Sequence, residues 1–325
     1  MFAVSRDRQT LDLSRPSVMA YPAGSPLEEA HTEDPVWTKS FLPHYAGGAT
    51  ATERRAAWGN ASASLMEIRC NGPIRHNCSS QSSRLLVMLE EVGDRLEWRT
   101  DPKAPSLKMS SPNQMAFAPA ETSIWEHSDH IRYLRHITIS FQRPTLAELV
   151  EDRGAGDVTE PRMMFFDARL FHLAKLFEAE ILENTLDTLY GDSLAVALAA
   201  TLSRTGRSEA ISKRKGGLTR NQMSRVEEVM EARSSEPLRL RELAELTQLS
   251  QSYFCRAFKA SFGMPPHRWH LEIRIRKARE QLLEGKLGLV DIALRAGFSD
   301  QAHFTRVFSR VAGTSPGSWR RQRIA

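Results

Sequence analysis

Arg256 and Arg306 sit in matching pentapeptides, FCRAF from Phe254 to Phe258 and FTRVF from Phe304 to Phe308. In each, two phenylalanines spaced i, i+4 share one face of a helix, so the arginine between them points the other way. A guanidinium is a planar, permanently charged fork. It suits two acceptors side by side, such as guanine O6 and N7 or a pair of phosphate oxygens. Gln301 carries the amide geometry that pairs with adenine in the same groove. Ser252, Cys255, Ala302 and Thr305 fall on the same outward faces as the two arginines. Lys259 and Arg310 lie a turn further on, where phosphate contact is expected, with Ser250 and Arg274 as further phosphate candidates.

Other reactive groups point nowhere so specific. His127, His130 and His136 invite a metal reading, but the chain shows no His-x-His with a nearby Glu among glycines, and polar turn histidines are the expectation. Cys70 and Cys78 flank NGPIRHN without a partner base and read as strand-end residues rather than nucleophiles. No nucleophile elbow, phosphate loop or dinucleotide glycine pattern is present. The sequence therefore nominates no catalytic residue, no metal and no cofactor.

The elements that must position the arginines are written twice. LRELAELTQLSQSYFCRAFKASFGMPP begins at Leu240, and LVDIALRAGFSDQAHFTRVFSRVAGTSP begins at Leu289. Leu243 matches Ile292, Ala244 matches Ala293 and Leu249 matches Phe298. After one extra residue in the second turn, Phe254 matches Phe304 and Gly263 matches Gly313. A short helix, a tight turn and a second helix form the unit that places a helix in the major groove. Ser250 is the expected N-cap of the first such helix, and Ser299 or Asp300 of the second. A helix from Gln222 to Ala232 should precede the pair. Between the copies, residues 267–283 predict one helix roughly 25 Å long. Its buried stripe is Leu271, Ile275, Ala278 and Leu282. Its exposed side is read as basic, from Arg268, Arg274, Arg276, Lys277 and Arg279.

Charge follows the repeat. From Gly216 onward there are 19 Lys and Arg against 11 Asp and Glu, a net of +8. The remainder holds 25 against 28, a net of −3. A basic segment beside an acidic one fits a phosphate-binding domain joined to something else.

That other part changes period twice. Residues 1–35 are polar and punctuated by prolines, and read as a flexible leader. ASLMEIRC, RLLVMLE, DRLEWRT and YLRHITISF, between Val36 and Gln142, read as short strands of a small antiparallel barrel or sandwich. Phe166, Leu170, Leu173, Phe177, Ile181 and Leu182 then recur at spacings of three and four, the signature of a helix, and LAVALAATL is apolar on most sides. Residues 205–217, TGRSEAISKRKGG, read as a linker. The division expected is a leader 1–35, a sensor and dimerisation domain 36–204, a linker 205–217 and a DNA-binding domain 218–325. The fold class is α+β in two domains. The start, MFAVSRDRQTLDLSRPS, has no secretory apolar core, no run approaches the ~20 residues of a bilayer span, and three cysteines without a CxxC pair suit a reducing compartment. The expected location is the cytoplasm, at the nucleoid, with no membrane.

The two motifs, LRELAELTQLSQSYFCRAFKASFGMPPHRW and IALRAGFSDQAHFTRVFSRVAGTSPGSWRR, make residues 222–323 resemble the DNA-binding domain of the AraC/XylS family of bacterial transcription regulators. The resemblance implies that the outward positions of both recognition helices contact bases. Carried over, these are Ser252, Cys255 and Arg256, then Gln301, Ala302, His303, Thr305 and Arg306. Cys255 departs from the longer polar side chains often found there. The resemblance also implies an N-terminal cupin-like sensor and dimerisation domain. The expected partners are double-stranded DNA, a second copy of the chain, a small-molecule effector and RNA polymerase. A non-specific architectural DNA binder, and an enzyme carried on a DNA tether, are the competing readings.

Overall fold

Alternation in RLLVMLE sends Leu85, Val87 and Leu89 to one side of a strand and Leu86 and Met88 to the other, and both sides are buried. The computed structural model describes residues 17–21, 44–45, 49–103, 112–141, 159–183, 188–212 and 216–324. Its N-terminal half is an antiparallel sheet of β1 (Ser17–Tyr21), β2 (His44–Tyr45), β3 (Ala49–Ala57), β4 (Ala61–Cys78), β5 (Ser83–Gly93), β6 (Glu97–Arg99), β7 (Met115–Ala118), β8 (Ile124–Phe141) and β9 (Arg162–Phe165). The strand order is β1-β3-β4-β8-β5-β7-β9, with β2 beside β4 and β6 beside β8. Among the described residues this path is open, with β1 and β9 at its ends, so the expected barrel is not closed.

Each sheet face has its own core. Leu65, Leu85, Val87, Phe117, Ile137 and Ile139 pack against α1 (Ala168–Glu183) and α2 (Thr188–Ser212), through Phe177, Leu198 and Leu202 among others. Trp58 meets Phe177 edge-on at 5.1 Å. Ile68, Ile74, Leu86, Met88, Trp98 and Ile131 form the core of the opposite face. β4 and β8 are 18 residues each and serve both cores, Leu65 and Ile137 lying on one face and Ile68 and Leu134 on the other; their register shifts between Arg69 and Ile74.

Several sequence expectations change here. Ser17–Tyr21, inside the expected leader, pairs with β3, and the rest of residues 1–35 lies outside the described residues. HSDH is not a turn but the middle of β8, with His136 buried further along. The helical period begins only at Ala168, since Arg162–Phe165 is a strand on β7. α2 runs through residues 205–212 of the expected linker, and residues 213–215 are outside the described ones.

The C-terminal half is all helix. It comprises α3 (Arg220–Ala232), α4 (Leu240–Leu246), α5 (Gln251–Phe262), α6 (Pro266–Glu284), α7 (Leu289–Arg295), α8 (Gln301–Ala312) and α9 (Pro316–Ile324). α6 is the shared beam. Its Trp269 and Ile273 belong to the core of the first unit, with Val226, Leu243, Phe254 and Phe258. Its Ile275, Ala278 and Leu282 belong to the core of the second, with Ile292, Phe304, Phe308 and Trp319. Among the described residues no helix is long and apolar enough to cross a membrane.

Candidate nucleic-acid interface

Ser250 stops the turn before α5 and caps it, accepting a hydrogen bond from the Tyr253 amide at 3.3 Å. In the second unit the extra residue moves the cap to Asp300, which accepts from the His303 amide at 2.7 Å, while Ser299 donates to the Asp300 carboxylate. Both helices end on a left-handed glycine, Gly263 at φ 74° and Gly313 at φ 73°. That geometry carries no Cβ penalty in glycine. The two helices are therefore cut to the same twelve-residue length.

Aromatic packing then fixes which face looks outward. Phe258 stacks on Phe262 with centroids 4.2 Å apart, and Trp269 meets Phe262 edge-on at 4.6 Å. In the second unit Phe298 lies tilted to Phe304 at 5.4 Å, and Phe304, Phe308 and Trp319 continue edge to face at 5.5 and 6.0 Å. With those rings buried, Ser252, Arg256 and Lys259 are exposed on α5, and Gln301, Ala302, Arg306 and Arg310 on α8. Cys255, His303 and Thr305 are half-buried. Cys255 leans on the first core, and His303 stands edge-on to Phe298 at 5.4 Å. Arg256, Lys259, Arg306 and Arg310 make no ion pair among the described residues, so their charge is free for an anionic partner. Tyr253, which sequence reasoning passed over, is exposed, and the Arg256 guanidinium lies 5.8 Å from its ring. The i, i+3 spacing of the two residues was the available signal.

The basic side of the spacer helix is placed differently from the expectation. Arg274 donates to the carbonyls of Ser234 at 2.7 Å, Glu236 at 2.6 Å and Gly297 at 2.9 Å. It ties the loop after α3 to the turn of the second unit, and those bonds occupy the donors a phosphate would need. Arg276 pairs with Glu231, Lys277 donates to the Glu231 carbonyl at 2.8 Å, and Arg279 is buried against Glu90. Of the five cations read as exposed on this helix, only Arg268 is fully so.

A second polar group lies within the N-terminal sheet. Glu126 accepts from the Trp98 indole at 2.9 Å and lies 3.4 Å from His76 Nδ1. Burial alone would raise its pKa, but His76, His136 and the indole outweigh that and bring it down to about 2. Burial pushes His136 below the usual histidine range. The thiols of Cys70 and Cys78 are pushed by burial to about 11 and about 12, so both stay protonated at neutral pH and neither is an activated nucleophile. Among the described residues no group of three His, Cys, Asp or Glu could hold a metal ion.

Residues 243–322 match the family described as a helix-turn-helix domain. The chain is 29% identical over 150 residues to the probable transcriptional regulator LumQ of Photobacterium leiognathi, covering 46% of this chain and 59% of that protein. It is 35% identical over 101 residues to the virulence regulon transcriptional activator VirF of Yersinia enterocolitica, covering 31% of this chain and 37% of that one. The chain thus spans under two thirds of the length of either relative. A solved transcriptional regulator with an AraC-type DNA-binding domain, from Chromobacterium violaceum, is 30% identical over 32% of this chain and 92% of its own, with a TM-score of 0.30.

Proposed function

We propose that this chain, which carries a helix-turn-helix domain over residues 243–322, is a DNA-binding transcription regulator of the AraC/XylS family, and that one protomer reads two successive major-groove segments, one with α5 and one with α8. The observation that carries this reading is the pair of matched, unpaired arginines, Arg256 and Arg306, on equivalent exposed faces of two helices braced by one beam. α6 is 19 residues long, about 28 Å, which suits two reading helices one turn of DNA apart, ~34 Å. Arg256, Arg306, Gln301, Ser252, Ala302 and Thr305 are the base readers. Cys255 and His303 stand at the margin of those faces. Ser250, Lys259 and Arg310 hold phosphates.

The N-terminal half is the cupin-like sensor and the dimerisation domain on this reading, and it acts in the cytoplasm on promoter-bound RNA polymerase. It rests on the sheet-and-helix layout and on the buried Glu126, His76 and His136, polar groups of the kind that orient a small ligand. The chain has no catalytic task in this scheme.

The experiment is selection of randomised duplex DNA by the full chain, followed by Arg306→Ala and Lys259→Ala. The expected result is a motif of two half-sites about ten base pairs apart. Arg306→Ala should relax preference at particular base pairs of one half-site by about 1–3 kcal/mol. Lys259→Ala should weaken all sites alike and lower the salt slope by about one. Uniform loss from Arg306→Ala, or capture without a motif, would overturn the base-reading assignment and favour an architectural binder.

A further inference from the structure

One cation of α6 that looks free in the sequence, Arg279, is held by an acidic strand of the N-terminal sheet. Glu90 of β5 is 7% exposed. Its carboxylate accepts from the Trp319 indole, from Arg323 at 2.7 Å, and lies 3.1 Å from Arg279 Nε. Trp319 and Arg323 belong to α9 and Arg279 to α6, so one carboxylate gathers both ends of the second unit. Arg323 also lies over the rings of Tyr133 and Trp319, at 4.9 and 4.6 Å. Val92 and Tyr133 complete the second unit's core from the sheet side. Arg69 adds a bond to the Gln322 carbonyl at 3.0 Å.

The first unit is touched at two separate places. Arg95, paired with Glu91 at 2.6 Å, faces the charges of Glu227 and Glu231 on α3. Phe166, between β9 and α1, packs on the first core, so close to Gly263 that a Cβ there would stand 2.6 Å from its ring. The sheet therefore grips both units, and it grips them on the sides away from Ser252, Arg256, Gln301 and Arg306, which stay exposed.

We infer that the N-terminal sheet is a splint for the two-unit reading head: Glu90 on one unit and Phe166 on the other fix the separation and tilt of α5 and α8 before DNA arrives. The inference rests on the two-groove reading above. A flexible pair of units loses relative freedom when both engage, whereas a splinted pair has lost it already. The splint therefore favours binding at two half-sites and leaves a single half-site unaffected. β5 is also the route by which the sheet interior reaches the reading head. Leu86 and Met88 line the inner core, a register shift follows between Met88 and Glu90, and the latch carboxylate comes directly after it.

The test uses the full chain and two probes, a duplex with both half-sites and one with the α8 half-site scrambled. Glu90→Gln keeps shape and removes the charge; Phe166→Ala acts on the other unit, 76 positions away in sequence. Each variant should lower affinity for the two-site probe about tenfold and change affinity for the single-site probe by less than about twofold. Equal loss on both probes, or no loss on the two-site probe in either variant, overturns the splint. If the unmodified chain gains nothing from the second half-site, the two-groove reading fails first and takes the splint with it. If one variant does not fold, the other decides.

Discussion

Gly297 is a residue where replacement by alanine should do much damage for its size. It occupies the turn between α7 and α8 at φ +82°, a left-handed conformation. The matching turn of the first unit has Gln248 at φ +58°, so the fold tolerates the left-handed conformation alone in a residue with a side chain. The difference is the neighbour. A Cβ on Gly297 would lie 2.3 Å from the Ser235 carbonyl oxygen, 2.7 Å from its Cα and 2.8 Å from its carbonyl carbon. All three atoms are backbone, so no side-chain rotation relieves the contact and the loop after α3 must retreat. That loop and Gly297 are joined by the three carbonyl bonds of Arg274. The left-handed penalty for alanine is about 1 kcal/mol. Losing one or two bonds to a charged donor adds roughly 2–4 kcal/mol. Gly297→Ala should therefore cost about 3–5 kcal/mol. Gly313→Ala is the control, since that glycine has φ +73° and nothing within 4 Å of its Cβ position. It should cost only about 1 kcal/mol. Urea unfolding of both variants, with unchanged slope, gives the two values as midpoint shifts. Equal costs for the two variants would refute the argument that the inter-unit contact, rather than the turn conformation, requires glycine at 297.

Two further outcomes follow from the same structure. Ser250→Ala removes the bond to the Tyr253 amide and should cost about 1 kcal/mol, with faster amide exchange confined to the first turn of α5; exchange spread over the whole unit would point to lost packing instead. Acid should weaken the fold through His270, which is 4% exposed and pushed by burial, and then by the Arg274 charge, down to about 4 from an ordinary 6.5. Between those values the unfolded chain takes a proton that the folded chain refuses. Stability therefore falls as pH drops from about 6.5, levels off below about 4, and loses at most about 3 kcal/mol from this group. His136 adds a slope of the same sign. Glu90 is held below the usual carboxylate range, because Arg279, Arg323 and the Trp319 indole outweigh its burial; its contribution is present above about 4.5 and is lost at lower pH. Urea midpoints at pH 7 and pH 5 should converge in part in His270→Gln, and an unchanged difference would remove His270 from the account.

The C-terminal half was legible because its information is local and repeated. Phe254 and Phe258 declare a buried face through spacing alone, Ser250 declares a start and Gly263 an end. The second copy checks each inference, even locating the inserted residue that moves the cap from the Ser250 position to Asp300. The limits of α3 and α6 fall within two residues of the expected ones. The sheet was legible only in its regular stretches. RLLVMLE and YLRHITISF alternate and are strands. Asn71, Gly72 and Pro73 read as a strand end, yet they form the irregular step that lets β4 continue to Cys78. HSDH reads as a turn because its side chains are polar, but it lies on the part of β8 that pairs with β4 and with the short β6. Asp129 and His130 are exposed and Ser128 is buried, without any chain reversal.

The α6 cations show most clearly what spacing does not carry. Arg276 and Arg279 were correctly recognised as basic and wrongly placed in solvent, because the period of a helix states which residues share a face but not what covers it. The covering groups are distant in sequence. Glu90 lies almost two hundred residues before Arg279, and Arg95, the partner of Glu91, faces acids on α3. One trace of the arrangement was present: the acidic excess of the N-terminal half against the basic excess of the C-terminal half. It was read as two separate functions, whereas part of it is one interface. A buried guanidinium is costly unless paired, so the cations on the inner side of α6 require acidic partners: β5 supplies Glu90 to Arg279 directly after its register shift, and α3 supplies Glu231 to Arg276. Among the described residues the cations of α5 and α8 have no such partner, and they remain exposed. Within one basic domain, pairing thus separates the arginines that hold the reading head together from those left free to read.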